Sequence, residues 1–262
     1  MGKRLQDSMM FVWRMIYPLL FYAFVSELIA VVFLTLGREP YGRDAVAATA
    51  VSAAVAAVPL AAFYEMPRRE IPRPKLWNRR SCLWVAITGV GACFFVNHMI
   101  KLCGLTSAAY RAVSSLQHQP SLIVQVIGIG IVTPVTEELI FRGLGYGKMR
   151  RELSFGWAAL LSAVYFGGYH GNMVQGVYAF CLGLLMAGAY EAYQSLWAPI
   201  CLHVSANLSS ILFSALAPEW AAGTVAMAAL MAVSAVMMIF GIYKIREDMK
   251  KNETSFRSNT ML

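Results

Sequence analysis

The 262-residue sequence predicts an all-α, polytopic membrane protein of about eight transmembrane helices with both termini on the cytosolic side. Three observations carry that reading. Hydrophobic residues make up 58% of the chain and charged residues only 14%, and the mean hydropathy is +0.57. A soluble domain carries about 25% charge, so this chain has too few charges to cover a water-exposed surface. Apolar stretches recur at the roughly 20-residue length a helix needs to cross about 30 Å of hydrocarbon. Lysine and arginine gather in alternate connections. The same arithmetic excludes a disordered chain and a basic nucleic-acid-binding domain, despite a net charge of +8.

The first apolar segment spans 11–36. No charged stretch with a small-residue cleavage site precedes it, so it reads as a retained helix and not a signal peptide. Segment two (45–64) is alanine-rich; three (82–100) and four (121–141) are of spanning length. Five (155–170) and six (173–190) are short and adjacent, and seven (196–215) and eight (222–243) complete the set. Lys3 and Arg4 precede the first. Arg68, Arg69, Arg73, Lys75, Arg79 and Arg80 lie between two and three, and Lys148, Arg150 and Arg151 between four and five. Lys244, Arg246, Lys250, Lys251 and Arg257 follow the last. The opposite connections hold only Arg38, Arg43, Lys101 and Arg111. By the positive-inside rule this pattern is N-in and C-in, and anionic headgroups can add to it.

No polar stretch is long enough for a soluble domain, so residues 1–262 read as one membrane domain with a cytosolic tail over 245–262. No internal repeat appears. Cys82, Cys93, Cys103, Cys181 and Cys201 form no CxxC and read as small hydrophobes. Asn252-Glu-Thr matches a glycosylation sequon, but it falls in the cytosolic tail and carries no weight.

An ionisable side chain in hydrocarbon costs roughly 2.5–3.5 kcal/mol on insertion scales, so each requires a reason. Segment four holds three: Glu137, Glu138 and Arg142. Glu138 and Arg142 are i and i+4, stacked on one helical face with the acid N-terminal. Glu137 points about 100° away, so it stays unpaired while Arg142 neutralises Glu138. Pro134 removes an amide and is expected to free the carbonyl of Gly130, loosening the helix. A structural ion pair, or a coupling site in a transporter, would account for this cluster alone.

Two further i, i+4 pairs stand on other segments: Phe166 with His170, and His203 with Asn207. The turn at 150–154 lies midway between Glu137 and His170, which places both roughly 18–21 Å from the cytosolic turn. His203 and Asn207 follow the turn near 191–195 by ~12–18 Å. A carboxylate, two imidazoles and a carboxamide thus share one slab. These groups suit amide hydrolysis: the carboxylate takes a proton from water, an imidazole positions that water, and imidazole and amide N–H groups stabilise an oxyanion. Alternatively Glu137, His170 and His203 would suit a divalent metal such as Zn²⁺ with an open position. Either chemistry requires a wet cavity, expected to open toward the cytosolic half of the membrane.

Other intramembrane hydrolases lack their residues here. There is no HExxH and no GxSxG, and the only aspartates are Asp7, Asp44 and Asp248. At the remaining residues the chain resembles the CPBP (Abi) family of intramembrane proteases, related to the CAAX prenyl endopeptidase. That family's EExxxR, FxxxH and HxxxN motifs read here, in order, as Glu137-Glu138-Leu-Ile-Phe-Arg142, Phe166-Gly-Gly-Tyr-His170 and His203-Val-Ser-Ala-Asn207. Ser195-Leu-Trp-Ala-Pro199 before the third motif is also similar.

The resemblance covers about 120–210 as a catalytic core and leaves the helices of 1–118 without a role. It implies an endopeptidase acting on a membrane-associated peptide or protein, with Glu137 as base, His170 assisting it, and His203 and Asn207 at the oxyanion. A prenylated substrate is not implied, and relatives are linked to bacteriocin immunity, pheromone maturation and scaffolding. The competing classes are a proton- or ion-coupled transporter and a non-catalytic scaffold of the same fold. Absence of duplicated helix patterns argues against a repeat-built transporter.

Four smaller expectations complete the reading. Arg14 snorkels to the headgroups. Glu27 is a helix–helix contact or part of a substrate path. Glu191, His98 and His118 are interfacial. Gly143, Gly147, Gly183 and Gly188 permit close helix approach.

Overall fold

The computed structural model describes residues 2–66, 77–217 and 223–260, and the side chains of 9–66, 77–217 and 223–251. Arg68, Arg69, Arg73 and Lys75 lie outside the described residues, as do the side chains of Lys3, Arg4, Asn252 and Arg257. Every described element is a helix. In order they are α1 (Gly2–Thr35), α2 (Ala45–Glu65), α3 (Arg79–Leu102), α4 (Ala108–His118), α5 (Leu122–Glu152), α6 (Phe155–Tyr169), α7 (Met173–Tyr193), α8 (Trp197–Leu216) and α9 (Thr224–Thr260).

All eight expected segments are helices, and seven are long and apolar enough to cross a membrane. The fifth, α6, has 15 residues. That is about 22 Å of helix, short of the hydrocarbon thickness. Gly171, at φ +68°, turns the chain at the end of α6, and the Asn172 side chain caps α7 by accepting the Gln175 N–H at 3.0 Å. The hairpin tip therefore carries His170 at the depth where α6 stops. Two further differences concern polar stretches. Residues 108–118 form a helix that buries none of its residues, begun by the Ser107 hydroxyl accepting the Tyr110 N–H at 3.0 Å. The stretch from 245 continues α9 to Thr260.

Inverted burial marks the lipid face. On α1, Met15, Tyr22 and Val25 turn inward, at helical spacing, while Trp13, Leu20, Phe24, Leu28 and Val31 are exposed. Small residues let the helices close on one another. A side chain at Gly89 of α3 would meet the Leu202 carbonyl and the Ser205 hydroxyl of α8, and one at Gly91 would meet the α9 backbone. Of the glycines expected at contacts, Gly143 faces Tyr64 and Gly183 faces Ala163 and Arg142. Gly147 meets only ordinary contacts, and Gly188 has nothing within 4 Å. Its neighbours along α7 make that helix's contacts.

Cys93 is buried as expected, but Cys82 and Cys103 are exposed. Cys82 of α3 lies 3.3 Å from Cys201 of α8, sulfur to sulfur. Glu27 is neither a helix–helix contact nor part of the cavity lining: it is exposed and accepts the Tyr41 hydroxyl at 2.8 Å. The connection 36–44 folds back over the end of α1, which explains that contact. In the same connection Asp44 accepts the Glu39 N–H at 2.9 Å and pairs with Arg38 at 2.9 Å. That backbone hydrogen bond and the neighbouring guanidinium groups hold its carboxyl below the ordinary carboxylate range.

Candidate active site

The backbone of α5 prepares the site. Ordinary α-helix gives way to π-helix at Gly128–Val132 and again at Leu139–Tyr146. In the first stretch the Thr133 N–H reaches back five residues to the Gly128 carbonyl. In that register Pro134, lacking an N–H, orphans Ile129 and not Gly130. Asn207 of α8 donates its side-chain N–H to the Ile129 carbonyl at 2.9 Å. The expected orphan was thus one residue off, because the π register shifts every partner by one. Thr136 ties the same stretch to α2, its hydroxyl donating to the Ala53 carbonyl at 2.9 Å.

Glu137 and Glu138 part as the helical geometry requires. Glu138 and Arg142 are wholly buried, with Arg142 Nη1 donating to Glu138 Oε1 at 2.7 Å. His203 Nδ1 lies 2.9 Å from the same Oε1. Among the described residues Arg142 Nε and Nη2 have no hydrogen-bond partner. The guanidinium instead lies over the Phe166 ring, 4.4 Å from its centroid, a cation–π contact strengthened by desolvation. Phe166 also meets His170 and His203 edge-on, at centroid distances of 4.9 and 5.6 Å. One ring thus packs against the cation and both imidazoles.

Glu137 is buried but lines the cavity. His203 Nε2 lies 3.6 Å from its Oε2, so this imidazole spans the two carboxylates. His170 Nδ1 lies 2.9 Å from the Phe166 carbonyl. A carbonyl only accepts, so Nδ1 is the donor in this contact. The Tyr22 and Tyr169 hydroxyls lie within interaction distance of each other and of Glu137. They bring α1 to the site, which sequence motifs did not indicate.

A cavity of about 1000 Å³ collects these groups: Glu137, His170, His203 and Asn207 all line it, and Glu138 and Arg142 stand behind its wall. Its lining continues past Asn97 and Lys101 of α3 to Ser114 and His118 of α4 and Ser214 of α8. These lie toward the face of the sparsely charged connections. The expected opening toward the basic turns is therefore overturned. A depth of ~18–21 Å from those turns already lies past the middle of a ~30 Å core, and the short α6 leaves space beyond His170.

The end near the basic turns is filled by side chains. Tyr146 donates to Glu191 at 2.7 Å, Arg150 pairs with Glu191 at 2.9 Å, and Tyr193 donates to Asp248 at 2.9 Å. Glu191 is held at that end by Tyr146 and Arg150. His98 and His118 line the cavity's outer part.

Residues 119–209 match the family model described as type II CAAX prenyl endopeptidase Rce1-like. This segment is therefore similar to the CAAX-type endopeptidases. The chain is also 26% identical over 151 residues to "Putative membrane peptidase YdiL" of Bacillus subtilis (strain 168), covering 53% of this chain and 61% of that protein. The chain thus spans about three-fifths of the length of this curated relative. No solved structure matches.

The matched segment runs from the end of α4 to α8 and contains every polar group of the floor except the tyrosine from α1. As a metal centre it fits poorly. Among the described residues no three His, Cys, Asp or Glu side chains come close enough to hold an ion.

Proposed function

We propose that this integral membrane protein is an intramembrane endopeptidase of the CAAX type, residing in a bacterial cell membrane and hydrolysing a peptide bond of a membrane-associated substrate. One observation carries the proposal: Glu137, His170, His203 and Asn207 line a single cavity while Glu138 is neutralised behind it by Arg142. Among the described residues Glu137 has no Lys or Arg partner of its own, which leaves its carboxylate available to water.

The roles follow from the contacts. Water between Glu137 and His170 gives its proton to the Glu137 carboxylate, while the His170 Nε2 lone pair accepts and orients the other O–H. His203, anchored through Nδ1 on Glu138, presents an Nε2–H that donates to the oxyanion formed as the carbonyl is attacked. Asn207 spends one amide hydrogen on Ile129 and has the other for the same oxygen. Glu137 finally passes its proton to the departing amine.

The test is cleavage of a quenched-fluorescent membrane peptide by purified protein in detergent. Glu137→Gln, His170→Ala and His203→Ala are each expected to lower kcat by about 10²-fold or more. Cleavage at wild-type rates by all three would sink the proposal.

A further inference from the structure

The cavity and the charge distribution bear on which side of the membrane supplies the substrate. The cations cluster at the sealed end: Arg79 and Arg80 begin α3, Lys148 and Arg150 end α5, and Lys244 to Lys251 lie on α9. At the open end Arg38 pairs with Asp44, and Arg43 pairs with both Asp44 and Glu39. Lys101 and Arg111 are the cations there without a carboxylate partner among the described residues. Basic connections stay on the cytosolic side during insertion. From the cavity's direction and this asymmetry we infer that the site is served from the extracytosolic face, and that its substrates are peptide segments projecting from the outer leaflet. This rests on the protease reading only for the word substrate; the direction of the cavity does not depend on it.

The geometry also sets a length. Gly89 lies against Leu202 and Ser205, at the level of His203, and Lys101 stands twelve residues further along α3. That is ~18 Å of helix. A strand covers that distance with about five residues. The substrate must therefore offer roughly five extended residues between the membrane surface and the bond that is cut. Amide and imidazole side chains suited to an extended backbone line this passage: Asn97, His98, Gln117, His118, Gln125 and Gln175. Glu137, at the bottom, is the one acid among the lining residues. A cytosolic peptide would instead meet the Tyr146–Glu191–Arg150 and Tyr193–Asp248 contacts.

Cys103 at the open end is exposed, and so is Ser154 at the sealed end. In a chain whose other cysteines are serine, Cys103 should react with a membrane-impermeant maleimide in intact spheroplasts. A cysteine placed by Ser154→Cys, with Cys103 also replaced, should react only after lysis. The reverse pattern overturns the inference. Should the cysteine-depleted chain not fold, a C-terminal alkaline phosphatase fusion to the native chain reads the same topology: it should be inactive, and an active fusion overturns the inference. A third measurement separates the two readings. A peptide cleaved by the solubilised protein should be cut when added outside right-side-out vesicles and not outside inverted ones. Cleavage in detergent and in inverted vesicles alone overturns the direction while the protease reading stands. No cleavage in detergent fails the protease reading and leaves the labelling result to decide the direction.

Discussion

The floor and the mouth of the cavity both use histidine, but only the floor holds one across helices. At the mouth, His98 Nδ1 lies 2.6 Å from the Phe94 carbonyl and His118 Nδ1 2.7 Å from the Ser114 carbonyl, each four residues back on its own helix. His170 makes the same local contact. His203 reaches instead across helices to Glu138 and Glu137. A local bond fixes a tautomer using one helix and survives changes elsewhere. A bond across helices makes the imidazole's position depend on the whole floor. The floor is therefore preorganised and intolerant, and the mouth is adaptable.

The largest effect should come from Arg142→Ala. It removes the cation from a fully buried carboxylate, a change that destabilises by about 3–5 kcal/mol when one partner of a buried pair is lost. Denaturant unfolding in micelles measures it. An unchanged midpoint would mean that the floor does not depend on this cation, and the contrast between floor and mouth would fail.

Next comes Glu137→Gln, which separates stability from chemistry. The amide keeps the shape and removes the base, so cleavage should fall on the order of 10²–10⁴-fold with the unfolding midpoint retained. Loss of both together would make Glu137 part of the structural network and not the group left free by it.

Much of this floor was legible in the sequence because it depends on short-range geometry. The i, i+4 spacing of Glu138 and Arg142 fixes their pairing in a helix, and the turn at 150–154 brings Glu137 and His170 to one level by counting. What was not legible depends on where elements stop. The cavity's direction follows from α6 ending at Gly171 and from α4 forming within a stretch read as a connection. The Ile129–Asn207 bond follows from a π register that nothing in the local pattern announces. Tyr22 enters the site only because α1 packs against α5 and α6, a long-range contact with no sequence motif behind it.

A smaller effect is expected at α7. A valine at Gly183 would press on Ala163 and on Arg142 Nη2, each 3.1 Å from the Cβ position. Overpacking of this kind destabilises by about 1–3 kcal/mol. Gly188→Ala on the same helix meets nothing within 4 Å and should be stabilising by roughly 0.5–1 kcal/mol through helix propensity. Equal effects at the two positions would show that α7 responds to glycine loss as such and not to contact with the floor.

The smallest effect belongs to the mouth. Lys101 is exposed, and its ammonium group contacts the Met227 sulfur at 3.6 Å. Exposed charges contribute about 0.2–1 kcal/mol, so Lys101→Ala should leave the unfolding midpoint unchanged. With an acidic peptide, KM should rise by about two- to fivefold at low ionic strength and kcat should hold. At 1 M salt the Debye length falls to about 3 Å, and the difference in KM should vanish. A KM effect that persists in high salt would place Lys101 in direct, desolvated contact with the peptide, and the mouth would then share the floor's fixed character.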